Sequence, residues 1–380
     1  MKKNLIFLWL VLVLAVSLQA NNDSTRQSSS FLFTATYIGE NAFNLSGGIK
    51  TGYNYLGFAN LNLTFDTEKA GFWKQGEFFV NVANTHGKTP SESMFGDLQI
   101  TSNIEAGNHT YLQELWYRHH FEKVELTVGL QDMNVEIANT ENGRLFLNSS
   151  FGILPTFSLN LHAPIFPLTS LGITAKWQIS DRFIWLNAIY DGTPTDFEKN
   201  PYNINWQFKN GDGILGISEM QYLSPNKQWP GTYKLGIFAH NHILERTFSN
   251  LPDSLDTNTW GLYGIIDQQI WQLNNKKING FLQIGYSPSK ISTNDFYLGV
   301  GMNFRGFLSK AHDDELGIAI AHAHLVHVND SETAIELTWH KPLLKYFYLQ
   351  PDIQYIIHPS GKSSGLKNVF AAFLRFGFEF

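Results

Sequence analysis

The sequence predicts an all-β protein: a transmembrane antiparallel β-barrel of about sixteen strands, with one long loop folded inward as a constriction. Three observations carry this expectation. From residue 31 onward, segments of about ten residues alternate apolar and polar side chains, the period of a strand whose two faces meet different surroundings. The connections between these segments tend to be short and long by turns, as in outer-membrane barrels. The chain ends on "NVFAAFLRFGFEF", in which Phe370, Ala372, Leu374, Phe376, Phe378 and Phe380 share one face while Arg375 and Glu379 take the other.

The N-terminus, "MKKNLIFLWLVLVLAVSLQANND", places two lysines before an apolar run that gives way to small and polar residues. It predicts a signal peptide over residues 1–20, cleaved after Ala20. Residues 21–30, "NNDSTRQSSS", read as a flexible mature terminus, and 31–380 as one barrel domain. No later stretch approaches eighteen consecutive apolar residues, so no transmembrane helix is expected, whereas a membrane strand needs only ~10 residues of alternating character. Aromatic residues make up 14 % of the chain and charged residues 16 %, against roughly 25 % charged in a soluble domain. The absence of Cys excludes disulfide and thiol chemistry. A net charge of −6 gives no basic footprint for nucleic acid.

The strands are expected in this order. "FLFTATYI" (31–38) alternates and supplies the first. In 53–66, Tyr53, Tyr55, Leu61, Leu63 and Phe65 oppose Asn54, Asn60, Asn62 and Thr64. Then come 71–85, 111–121 and 124–131, where Val124, Leu126, Val128 and Leu130 oppose Glu125, Thr127, Gly129 and Gln131. Less regular candidates follow at 170–179, 182–190, 213–223, 231–241, 258–271 and 278–286. Segment 294–305 alternates cleanly, 314–325 and 332–342 less so, and 347–357 cleanly again, before the closing strand 368–380. Without 31–38 the count would be fifteen, and a closed antiparallel bacterial barrel needs an even number. Sixteen strands enclose an aqueous channel, not a packed interior.

Lipid offers no hydrogen bonds to a backbone, so a spanning sheet must close on itself. The Phe row of 368–380 is then expected to face hydrocarbon, and Arg375 and Glu379 the lumen. A soluble sandwich also alternates, but turns its apolar row inward, and here the opposite row repeatedly holds Asn, Gln, Glu and Arg. A bacterial outer-membrane location follows. The aromatic strand ending on Phe380 is similar to the signal that engages the barrel-assembly machinery.

With these features in place, residues 45–380 resemble the carbohydrate-selective porins of the OprB family. The resemblance rests on "FGDLQITSNIEAGNHTYLQELWYRHHFEKVELTVGLQDMN" (95–134), "FLNSSFG" (146–152), "YDGTP" (190–194), "GILGISEMQY" (213–222) and "LQPDIQYIIHPSG" (349–361), in that order. It implies a sixteen-stranded barrel that passes small sugars passively across the outer membrane. The family usually carries "GKxD" before its long loop; this chain reads Gly129, Leu130, Gln131, Asp132, with Leu130 in place of the Lys.

A sugar presents hydroxyl edges and apolar C–H faces. A pore that favours it needs planar polar groups for the first and aromatic rings for the second, with binding weak enough for release. Lumenal parity supplies Glu114, Trp116, Arg118, Gln131, Asp352, Gln354 and Arg375, together with Glu77, Asn81, Lys176, Trp185, Asn187, Lys234 and Glu336. The long stretch from Asp132 to Thr169 is the candidate constriction, with Asp132 and Asn134 at its start. Its segment "ILPTFSLNLHAPIFPLTS" is too apolar for an exposed tip. Asp191 opens a second long loop. His322, His324 and His327, and His240 with His242, read as rim histidines and not as a metal site, so neither metal nor cofactor is expected. No G-x-S-x-G, P-loop or H-E-x-x-H occurs. Small carbohydrates and outer-membrane lipid are the expected partners, with one barrel or a homotrimer both open. A general small-solute porin and a barrel-type hydrolase built on Asp191 and His240 are the alternative functions.

Overall fold

The computed structural model describes residues 29–208, 211–241, 258–288 and 292–380. The expected signal peptide, most of the expected flexible terminus and the 242–257 connection lie outside them. Sixteen antiparallel strands close into a barrel in sequence order. They are β1 (Phe31–Gly48), β2 (Gly52–Asp66), β3 (Gly76–Gly87), β4 (His109–His120), β5 (Val124–Gln131), β6 (Ser170–Gln178), β7 (Phe183–Asp191) and β8 (Ile214–Leu223). The second half comprises β9 (Gly231–His240), β10 (Thr259–Leu273), β11 (Lys276–Tyr286), β12 (Asn294–Arg305), β13 (Glu315–Leu325), β14 (Asp330–Leu344), β15 (Phe347–Ile357) and β16 (Lys367–Glu379).

The C-terminal segment is the closing strand. It pairs with β1 in a register running from Thr36 opposite Glu379 to Ser46 opposite Phe370, which leaves no sheet edge. Phe370, Leu374 and Phe378 are exposed on the outer face, while Arg375 is buried on the inner one, as the ladder required. Strand β1 runs ten residues beyond the expected segment, and β3 starts later than expected. Residues 67–75 form a turn instead, pinned where the Trp73 indole N–H donates to the Tyr117 hydroxyl at 2.7 Å. The rim asymmetry is real but uneven: the long rim carries 88–108 and 132–169, yet also the three-residue link 49–51.

The interior departs from a simple water-filled tube. The stretch 132–169 folds into the barrel as expected, and it brings an apolar core with it. Its Met133, Phe146, Phe151, Leu154 and Phe157 pack on Leu186, Ile217, Phe238, Ile265, Phe281 and Tyr297 of the inner wall. Phe157 lies 4.2 Å from Phe238 between ring centroids. The second inward stretch, 88–108, packs Met94, Phe95 and Ile104 on Leu56, Ile356, Val369 and Phe373. The expectation that hydrophilic residues alone surround the lumen is therefore corrected: where these loops dock, the inner row is greasy too. That is why β7 to β11 and β13 alternate poorly in sequence. Trp185 and Asn187 are corrected with it. On β7 the buried inner row is Ile184, Leu186, Ala188 and Tyr190, and Trp185 faces outward, its indole bonded to the Ser218 hydroxyl, which in turn donates to Asn187.

Candidate lumenal binding site

Between the two inward loops lies a cavity of about 1080 Å³, bounded by Ile38, Phe58, Phe166, Tyr348 and Arg375 among others. A separate polar column stands on the inner wall at β3 and β4, outside the residues that bound this cavity. On β4 the even-numbered side chains Glu114, Trp116 and Arg118 point inward, and Phe79 of β3 joins them. The Phe79 and Trp116 rings stack with centroids 4.8 Å apart and planes 23° from parallel. The Arg118 guanidinium sits 4.5 Å from the Trp116 centroid on the same column. The Trp116 indole N–H donates to Glu114 Oε1 at 3.3 Å. Arg118 also donates to Thr127 Oγ1 and to Glu136 of the inward loop, and Lys176 approaches Glu136 at 3.8 Å. This is a planar aromatic surface edged by a carboxylate and a guanidinium. Such a surface offers both a stacking face for C–H groups and fixed donors and acceptors for hydroxyls.

The other expected residues divide between wall and loop. Gln131 is buried beside this column, donating to Gly172 O at 2.8 Å and accepting from Thr174. Leu130, on the opposite parity, is fully buried. Asp132 caps the inward loop, accepting from the backbone N–H groups of Asn134 and Phe166. Burial pushes its carboxyl up to about 6. Asn134 lines the cavity and ties Ile137 O to Gly152 O. Arg375 also lines it, donating to Glu40 at 2.7 Å and to Asn103 of the 88–108 loop at 2.8 Å. Asp352 and Gln354 lie beneath the loops, where Gln354 donates to Thr101 O and accepts from Asn148. Asp191 ends β7 on the parity of outward Ile189 and apart from the cavity.

Sequence reasoning missed what several lumenal acids do. Asp267 on β10 accepts from the Thr140 hydroxyl and the backbone N–H groups of Glu141 and Asn142 at 2.6–3.1 Å. Glu219 on β8 accepts from Ala138 N, and Glu336 on β14 from Leu147 N and Asn148 N. Glu332 accepts from Leu98 N, Gln99 N and Ser360 N. These carboxylates grip the loop backbones instead of facing solute. The available signal was a lone acid in an otherwise apolar inner row, such as Asp267 beside Tyr263 and Ile265.

The profile of the carbohydrate-selective porin, OprB family, matches residues 50–380. The high-pH structure of Pseudomonas putida OprB superimposes with a TM-score of 0.85 at 17 % identity, covering 95 % of this chain and 97 % of that one. The trimer form of OmpT, an outer-membrane protein of Vibrio cholerae, gives 0.55 at 8 % identity, covering 92 % and 99 %. An anion-selective porin from Comamonas acidovorans gives 0.55 at 11 %, again over 92 % and 99 %. No curated protein shows a sequence match.

Proposed function

Because this chain belongs to the carbohydrate-selective porin family, OprB, and serves passive diffusion of small sugars across the bacterial outer membrane, we propose that Glu114, Trp116 and Arg118, with Phe79, form the sugar-contacting face of its pore. The observation that carries this is the stacked column of Phe79, Trp116 and the Arg118 guanidinium, with the Glu114 carboxylate at its edge. A pyranose lying on Trp116 would place its C–H face on the indole and its hydroxyls toward Glu114 and Arg118. The Glu136 and Glu125 carboxylates hold Arg118 in position, so little ordering accompanies each passage. Asp132 and Asn134 shape the loop beside this face, and Gln131 ties β5 to β6 next to it. Gln354 and Arg375 hold the opposite loop, with Asp352 accepting from Gln354 behind it, and Asp191 stands at the rim.

The test is conductance of the reconstituted barrel in a planar bilayer. Neutral hexose should reduce the current in a saturable way, and Trp116→Ala should raise the half-blocking concentration about tenfold, equivalent to about 1.4 kcal/mol. Equal block in wild type and variant would remove Trp116 from the site. Absence of block in a conducting wild-type channel would favour the general small-solute porin. The hydrolase alternative loses support from His240, which is 1 % exposed and packed against Gly192; the family and fold are those of a channel. Phe380 pairs by backbone with Ala35, which supports reading the terminal strand as the one that engages the assembly machinery.

A further inference from the structure

The charges around the cavity are unbalanced. Two guanidiniums line it, and each already has a carboxylate. Arg375 is held by the fully buried Glu40, and Arg144 lies 3.7 Å from Glu141. On the same wall, Glu92, Glu315 and Glu379 have no cationic partner within 4.0 Å among the described residues. Glu92 accepts only from the Thr89 hydroxyl and Glu315 only from the Asn303 amide. The three stand on different elements: Glu92 on the 88–108 loop, Glu315 on β13 and Glu379 at the end of β16.

A second, independent observation points the same way. Asp97 lines the cavity at 7 % exposure, and no base pairs with it within 4.0 Å among the described residues. Burial, then the neighbouring Glu332 and Glu105 carboxyls, push the Asp97 carboxyl well above the usual carboxylate range, the mark of a wall crowded with acids and lacking a base at this point.

Building on the porin reading, we infer that this pore selects by charge within its solute class: it favours cationic over anionic solutes, admitting amino sugars that carry an ammonium group ahead of hexuronates or sugar phosphates. The walls are low in dielectric because the loop cores pack directly behind them, which focuses the field of the unpaired carboxylates into the lumen. A mean lumenal potential of only one kT concentrates monovalent cations over anions about sevenfold.

The experiment measures reversal potentials of the reconstituted full-length barrel in a KCl gradient, then in glucosamine hydrochloride and sodium glucuronate, with block by neutral glucose recorded on the same channels. The expected result is a cation-to-anion permeability ratio of about seven or more at 0.1 M salt. It should fall toward one at 1 M, where the screening length shrinks from ~10 to ~3 Å. The triple variant Glu92→Gln, Glu315→Gln, Glu379→Gln should lower the ratio at 0.1 M severalfold. A wild-type ratio near or below one overturns the inference, and if glucose still blocks, the porin reading stands without it. An unchanged ratio in the triple variant overturns the assignment to these carboxylates. Should that variant fail to fold, the wild-type salt series and the two sugar ions still decide the question. Channels that neither select nor respond to glucose would remove both readings together.

Discussion

The replacement Phe157→Ala tests whether the inner loop is a packed plug or a loosely tethered lid. Phe157 is fully buried, 4.2 Å from Phe238 and 5.4 Å from Tyr263 between ring centroids. Truncating a buried Phe costs about 3–5 kcal/mol in lost transfer energy and residual cavity. The backbone ladders that close the barrel do not involve this residue, so the cost falls on docking of the 132–169 stretch and not on the wall. At 1.4 kcal/mol per factor of ten, the population with the loop undocked should rise by about two to three and a half orders of magnitude. The chain contains no Cys, so a single Ser150→Cys change, at a position 2 % exposed on the same loop, gives a clean reporter. Maleimide labelling of that thiol in folded barrels should accelerate by the same factor when closing outpaces labelling. Single-channel records should show brief excursions to higher conductance. Labelling at an unchanged rate, or loss of the barrel itself together with the loop, would refute the separation of plug from wall.

Three further outcomes follow from the same structure. Asp267→Ala should leave the Thr140 hydroxyl and the backbone N–H groups of Glu141 and Asn142 without their charged acceptor. At about 1.5–3 kcal/mol per such bond, current noise should rise while the barrel stays folded in electrophoresis. Leu337→Arg, at the middle of β14 on the outer face and 40 % exposed, should cost about 2–4 kcal/mol in refolding titrations into lipid; a cost near zero would place that face in water. The Glu105 carboxyl is pushed up to about 7 by burial, with Glu40 of β1 adding to the rise, Asp97 of its own loop nearby, and the Ser91 and Glu92 backbone N–H groups opposing it. Its folded value lies above the usual carboxylate range, so the lumen gains this charge as pH rises through 7 and loses it as pH falls. Cation preference should therefore weaken between pH 8 and pH 6, read as a shift in reversal potential.

The barrel itself was legible in the one-dimensional pattern. Parity alone put Phe370, Leu374 and Phe378 outside and Arg375 inside, because lipid and water impose opposite demands on alternate side chains of one strand. The evenness rule placed β1 before any pairing was known, and the apolar run in 153–170 announced a loop that could not stay in water. Glu114, Trp116 and Arg118 were placed on one face for the same reason. Tertiary structure decided what fills the interior. An inner row of Ile184, Leu186 and Ala188 carries no mark in the sequence to show whether it meets hydrocarbon or the underside of a loop, since both reward burial of apolar area equally. Nor could parity tell a carboxylate that meets solute from one that holds a backbone. Asp267 and Glu379 both point inward, and only the arrival of the 140–142 backbone at Asp267, some 125 residues distant in sequence, turns the first into an anchor and leaves the second facing the pore.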